Sequence, residues 1–257
     1  MRPVSNKFIA GALLAALAAG GLVAACATLS PGHYRGPVSD HFDGRRFHNY
    51  TPDIQRDLGQ LFRWLRERNP GQWEVTSNNP WPAPPPRVTK PAALRVTFVN
   101  HSTVLLQIAG INLLTDPIWS RRASPVSFAG PKRFREPGIP FRQLPHIDIV
   151  MVSHGHYDHM DTATLKRLAD RDRPRMLVPL GHAAILERKG IGNVEELDWW
   201  DEVQVSETVR VIPVPVQHWT ARGLFDRNLA LWSGFVIEAP GGPVYFAGDT
   251  GYAEHFA

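Results

Sequence analysis

One short stretch of this chain is dense in groups that hold metal ions and move protons. Ser153-His154-Gly155-His156-Tyr157-Asp158-His159-Met160-Asp161 sets three histidines and a carboxylate within six residues, directly after the apolar run Ile147-Asp148-Ile149-Val150-Met151-Val152. On an extended backbone, residues two apart share a face, so His154 and His156 can reach one ion together. On a helix the same pair would diverge by about 200°. Asp158 and His159 follow where the chain has begun to turn, and can address a second ion beside the first. Imidazole and carboxylate donors without thiolate suit Zn²⁺, with Fe or Mn as alternatives. Two ions about 3.5–4 Å apart would share a bridging hydroxide and clamp the entering and leaving oxygens of a displacement.

Such groups need elements that deliver them to one place. Runs rich in β-branched residues predict strands at Leu94 to Val99, Thr103 to Ile108 and Ile111 to Thr115, the last two joined at Ala109-Gly110 as a hairpin. A strand at 147–152 leads into the histidine-rich turn, with a helix from Thr162 to Ala169 and a strand from Arg175 to Leu180 after it. A short helix ends at Lys189-Gly190, and further strands are read at Val209 to Val216, Leu229 to Glu238 and Val244 to Phe246. Pro213 and Pro215 predict an edge or bulged strand for the first of these. Strands interleaved with helices give an α/β domain over residues 93–257, with sheet between helix layers. Residues 117–145 form a long irregular segment carrying Arg121, Arg122, Lys132, Arg133, Arg135 and Arg142, which either meet an anionic group or are simply solvated. His101, His146 and His182 are read as structural, with His101 at a strand end where it helps shape the site. Tyr157 reads as packing or a gate.

Upstream of the domain, Thr51-Pro52-Asp53 starts a helix carrying Ile54, Leu58, Leu61, Phe62 and Leu65 at helical spacing, and Asn69-Pro70-Gly71 stops it. Residues 78–91 hold six prolines and read as an extended connector, so 51–92 forms a helix plus connector. Residues 26–50, without periodicity, read as a tether or an irregular arm. At the start, Arg2 and Lys7 precede an uncharged segment from Phe8 to Ala25, which ends at Val23-Ala24-Ala25-Cys26. That order resembles a bacterial signal with a lipobox: residues 1–25 removed, Cys26 lipidated. An uncleaved membrane anchor is the other reading. Either way the body is expected to be membrane-anchored in the bacterial cell envelope, facing the periplasm or on the outer membrane.

The whole chain has 257 residues, 43% hydrophobic and 20% charged, enough for one large domain with a buried core. A formal charge of +4 and a pI near 9.5 fit an anionic substrate or an acidic membrane surface, with a plain solvated exterior as the favoured reading. The basic residues are not interleaved with aromatics in a repeating way, and a nucleic-acid partner is not expected. Cys26 is the one cysteine, so an internal disulfide is excluded.

The His-x-His-x-Asp-His run after a strand resembles the signature of the metallo-β-lactamase-fold hydrolases. Further blocks are similar to N-acylphosphatidylethanolamine-hydrolysing phospholipase D and its bacterial relatives: Asn100-His101-Ser102-Thr103-Val104-Leu105, Leu114-Thr115-Asp116-Pro117-Ile118, Gly130-Pro131-Lys132-Arg133-Phe134 and Leu231-Trp232-Ser233-Gly234. The resemblance implies an αββα sandwich with two zinc ions. One ion would be held by His154, His156 and His218, the other by Asp158 and His159, with Asp249 bridging. It also implies hydrolysis of a phosphodiester in a phospholipid-like substrate by an activated hydroxide, with Asp158 and Asp249 holding the ions and orienting it. A departure accompanies this. The family's second ion takes a further histidine well beyond Gly248-Asp249-Thr250-Gly251, and His255, the one histidine after Asp249, sits in an ordinary Gly-Tyr-x-x-His-Phe continuation. The chain therefore reads as stopping short of the closing strands and helix, or as having an incomplete second site. Two other functions fit the same residues: an ester or lactone hydrolase of this fold, and a non-catalytic metal-binding envelope lipoprotein.

Overall fold

Aliphatic runs with little polar alternation become the strands covered on both faces. A computed structural model describes residues 34–52, 58–69, 71, 86–88, 90 and 92–256 apart from 224. The signal segment, Cys26, most of the proline-rich connector and the start of the first helix lie outside those residues. The described helix α1 spans Leu58–Glu67 and exposes Phe62 and Trp64. No helix of the described residues is long and apolar enough to cross a membrane.

Six strands, β1 (Leu94–Asn100), β2 (Thr103–Ile108), β3 (Ile111–Thr115), β4 (Ile149–Met151), β5 (Arg175–Pro179) and β6 (Val194–Leu197), lie side by side in chain order. The first three pair antiparallel and the rest run parallel to β3. The β2–β3 turn needs positive φ at both central residues, and Ala109 (47°) and Gly110 (85°) supply it. Helices α2 (Thr162–Asp172) and α3 (Ala183–Arg188) make the crossovers to β5 and β6. Asp161 caps α2 by accepting from Ala163 N and Thr164 N, and Arg173 closes it at φ 53°. A second, antiparallel sheet has the order β10 (Val244–Phe246), β9 (Gly234–Glu238), β8 (Arg210–Val214), β7 (Val203–Gln204).

Expected and observed strands differ in informative places. β8 has neighbours on both sides, yet the two-residue β7 reaches only Arg210 and Val211. Pro213 lies beyond β7; its carbonyl accepts from Trp200 N at 2.8 Å. Nitrogen and carbonyl of one strand residue face the same side, so the missing N–H interrupts no ladder. The strand expected from Leu229 begins only at Gly234.

The two sheets pack through Leu106, Leu113, Met151 and Leu177 on one side and Val211, Phe235 and Ile237 on the other. The opposite face of the large sheet, with Leu105, Leu114, Val150 and Val178, is covered by Leu165 and Leu168 of α2 and by Ile185 and Leu186 of α3. Each such fully buried side chain contributes about 1.5–3 kcal/mol. Among the described residues the layers thus run helix, sheet, sheet.

From Tyr34 onward, the stretch whose composition reads as a tether is packed against the domain. Phe42 and Phe47 are buried with Trp199, Val216, Leu231 and Trp232. Two phenylalanines five residues apart carry no helical or strand period, which is why periodicity misses an apolar segment that docks without regular structure.

Candidate metal centre

β4 ends in a run of constraints that present its following residues at the rim between the sheets. Val152 N still donates to Leu177 O at 3.0 Å. Next, Ser153 N donates to Asp116 Oδ1 at 2.7 Å, and Ser153 Oγ–H donates to Asp116 Oδ2 at 2.7 Å. That hydroxyl then accepts from His154 Nδ1 at 2.9 Å, which leaves the other ring nitrogen of His154 bare and aimed outward. Gly155 N donates to Thr220 Oγ1 at 2.9 Å. A Cβ on Gly155 would lie 2.8 Å from both His182 Cε1 and Thr220 Oγ1, so only glycine lets the chain pass here. Beyond it, the buried guanidinium of Arg222 donates to Gly155 O (2.7 Å) and Met160 O (3.0 Å), gripping the two ends of the turn.

The six residues singled out from the sequence come together at this rim. His154 Nε2 lies 2.8 Å from His156 Nδ1. His218 Nε2, on the segment after β8, is 3.2 Å from the first and 3.3 Å from the second. Asp158 Oδ2 is 3.7 Å from His159 Nε2. Asp249 Oδ2 stands 3.4 Å from His159 Nε2 and 3.9 Å from His218 Nε2, between the two groups. Gly248 (φ 60°) makes this possible, since a Cβ there would come within 2.6 Å of Ser153 Cβ. His154–His156–His218, His154–His159–Asp249 and His101–Asp158–His159 each offer ligand atoms within 4.8 Å of one another.

Two further residues join the six. His101, read as structural, places Nε2 3.0 Å from Asp158 Oδ2; a φ of 49° at the β1–β2 turn swings it over the rim. Asp116, part of a family-like block but given no role there, is fully buried and accepts from His159 Nδ1 at 2.7 Å as well as from Ser153. Its partners lie 37 and 43 residues away in sequence, so spacing along the chain does not connect them. By contrast, His182 is buried with Nε2 donating to Leu231 O, and His146 faces Asp148 and Asp172, both outside the cluster.

Burial, aided by neighbouring imidazoles, pushes the basicity of His154 far down and that of His156 to about 4; His218 is lowered for the same first reason. His159 behaves oppositely. Burial alone would lower it, but Asp116, Asp249 and Asp158 together outweigh that and raise it to about 10. Burial likewise opposes ionisation of Asp158, yet His101 and His159 hold it at about 2. Asp249 is held low first by its contact with His159. The site therefore gathers neutral imidazoles on one side and negative charge around His159 on the other.

The arrangement fits metal ions. Nitrogens at about 2.0–2.1 Å from a tetrahedral ion sit about 3.3 Å apart, as the His154–His156–His218 triangle does within half an ångström. His159 Nε2 is buried without a hydrogen-bond partner while its Nδ1 is fixed on Asp116, the usual support of a coordinating imidazole. The excess carboxylate charge there favours a cation. No sulfur donor is present, which suits zinc or iron.

Beside Asp158 a cavity of about 840 Å³ opens, lined also by His101, His156 and Tyr157. Its walls include Phe98, Ile118 and Phe134 together with Arg121, Lys132 and Arg135 from the irregular 117–145 segment. Asp161 ties that segment to the ligand turn, accepting from Ser120 N and Ser120 Oγ, both at 2.9 Å. Arg133 is used internally, donating to Trp119 O and Glu136.

Comparison with known proteins agrees with this geometry. A family model described as the beta-lactamase superfamily domain matches residues 111–256, a span containing every member of the cluster except His101. An uncharacterised protein of Mycobacterium tuberculosis is 39% identical over 195 residues, 72% of this chain and 52% of its own. N-acyl-phosphatidylethanolamine-hydrolyzing phospholipase D 1 of Caenorhabditis elegans is 39% identical over 172 residues, 63% of this chain and 48% of its own. This chain thus spans about half the length of the curated relatives it matches. A crystal structure of a possible metal-dependent hydrolase from Veillonella parvula superposes with a TM-score of 0.51 at 16% identity, over 64% of this chain and 66% of that one, a likeness of fold.

Proposed function

This chain belongs to the beta-lactamase superfamily, and from that membership we propose that it is a metal-dependent hydrolase cleaving a phosphodiester in a phospholipid-like substrate. The carrying observation is the cavity beside Asp158, which joins an apolar wall to cations and opens directly onto the histidine–aspartate cluster. The named activity of the Caenorhabditis elegans relative supports the substrate class.

In this reading His154, His156 and His218 would hold one zinc ion and Asp158 and His159 a second, with Asp249 within reach of both groups. Bound there, the ions supply Lewis-acid polarisation and acidify water to near neutrality. The chain's own residues do the rest. Asp116 holds His159 in the tautomer that leaves Nε2 bare, and Ser153 does the same for His154. His101 steadies the Asp158 carboxylate. Arg121, Lys132 and Arg135 compensate the substrate's negative charge, and Phe98 and Phe134 take its acyl portion and exclude water. Anchoring through Cys26 in the bacterial cell envelope, with the body at a membrane surface, would bring that cavity to its substrate.

The test is to load the purified protein with zinc, confirm its metal content and assay N-acyl-phosphatidylethanolamine alongside simple phosphodiesters, esters and lactones. Release of the phosphatidyl group is expected. Turnover of esters or lactones alone would move the assignment to carbonyl hydrolysis, and no turnover with metal present would leave a binding protein.

A further inference from the structure

His218 differs from the other members of its triangle in how it is held. The ring of His154 is fixed by Ser153 and the backbone around His156 by Thr220 and Arg222, all within the domain. Among the described residues the ring of His218 makes contacts toward the cluster and Trp219 alone, so its backbone sets its position. That backbone is gripped from two sides. On one, Gln217 bridges to Gly251: Gly251 N donates to Gln217 O at 2.8 Å, and Gln217 N donates to Thr250 Oγ1 at 3.0 Å, next to Asp249. On the other stands Asn49, from the packed segment ahead of the domain. Its Nδ2 donates to His218 O at 2.8 Å, and its Oδ1 accepts from His218 N at 3.3 Å and from Trp232 Nε1 at 3.0 Å.

The segment carrying Asn49 is itself docked with care. Phe42 and Phe47 are buried beside Trp232. Phe47 N donates to Asn228 O at 2.9 Å, and Asn228 Nδ2 returns a bond to Phe47 O at 3.2 Å. Thr51 O accepts from Gln217 Nε2 at 3.0 Å. These contacts place one carboxamide, with one donor side and one acceptor side, against the backbone C=O and N–H of one candidate ligand residue.

We propose that Asn49 is a positioning residue for the first metal site, so that the segment 34–51 belongs to the centre although it lies ahead of the domain that carries the donors. The proposal rests on reading His154, His156 and His218 as a metal triad. Asn49 acts through His218, setting where its imidazole sits. A carboxamide suits both His218 groups it meets, the carbonyl it donates to and an N–H that it shares with Val216 O, the latter at 3.0 Å. Aspartate keeps the size and the acceptor but turns the bond to His218 O into an oxygen–oxygen repulsion.

The test compares the full-length wild type with Asn49→Asp, Asn49→Ala and, as a control on the same segment, His48→Ala, whose side chain meets only Asp43 on the surface. Zinc affinity is measured by competition with a chromophoric chelator, and ligand geometry by the visible spectrum of the cobalt-substituted protein. Deuterium exchange at residues 216–220 is followed in the metal-free protein. Expected for both Asn49 variants are a ten- to hundredfold loss of affinity at one site, in line with other residues that support a ligand. An altered cobalt spectrum and faster exchange at 216–220 should accompany it, with His48→Ala matching wild type throughout. Asn49→Asp preserves packing, so it remains informative even where Asn49→Ala fails to fold. Wild-type affinity, spectrum and exchange in Asn49→Asp would overturn the proposal. A wild type that binds no metal would instead overturn the triad reading, while the exchange measurement still reports on the clamp.

Discussion

The Asp116 carboxylate accepts from Ser153 N, Ser153 Oγ and His159 Nδ1, and so aligns two imidazoles at once. Asp116→Asn keeps the shape but replaces one acceptor with a donor that faces a donor, either at Ser153 or at His159. The expected outcome is a ten- to hundredfold drop in metal affinity, measured by chelator competition, with the secondary structure unchanged by circular dichroism. His101 illustrates a different lesson. It was legible as a strand-end histidine that helps shape the site, and its bond to Asp158 was not, because that bond depends on a left-handed backbone at the β1–β2 turn. A residue type can be read from the chain; a bond across 57 residues cannot.

At the scale of elements, the strands that carry the donors were largely written in the sequence. β2 and β3 were legible to the residue, since aliphatic runs separated by a two-residue turn have few other solutions. The His-x-His-x-Asp-His turn was legible as chemistry because strand geometry puts its first two imidazoles on one face. The segment 34–51 was not, because it docks through isolated aromatics and backbone bonds rather than a period. Nor were β6 and the two-residue β7, whose residues have little intrinsic strand signature and are recruited by their neighbours. Turn geometry gives the sharpest test here. Gly248→Ala would place a methyl 2.6 Å from Ser153 Cβ at φ 60° and should destabilise the fold by about 1–3 kcal/mol in urea unfolding. Gly192→Ala, with nothing within 4 Å, should be neutral or stabilising by about 0.4–1 kcal/mol.

For the whole molecule, the question is how the segment ahead of the domain is kept in place. Besides its aromatics it has one buried ionisable anchor: His41, whose Nε2 meets Asp198 at 2.7 Å and whose Nδ1 meets Asp40 at 2.6 Å. Burial opposes the charged form, yet Asp198 and Asp40 outweigh it and raise the His41 pKa above its ordinary 6.5. A histidine whose pKa is raised on folding adds stability that is complete below about pH 6.5 and fades as pH climbs through the folded value. Wild type should therefore exceed His41→Gln in thermal midpoint at about pH 6 and lose much of that advantage by about pH 9, as read by scanning calorimetry at constant ionic strength.

Ser153 also bears on the order of events as the chain folds. Its carbonyl accepts from Ser233 N at 2.9 Å, its amide and hydroxyl hold Asp116, and Gly248 passes against its side chain. Those partners lie on both sheets and far apart in sequence, so the loops they close are long and their entropy is lost late. An ion that needs all of them can be captured only after the sheets have met. Zinc should then slow unfolding in stopped-flow experiments and leave the refolding rate nearly unchanged, the signature of a contact absent from the transition state.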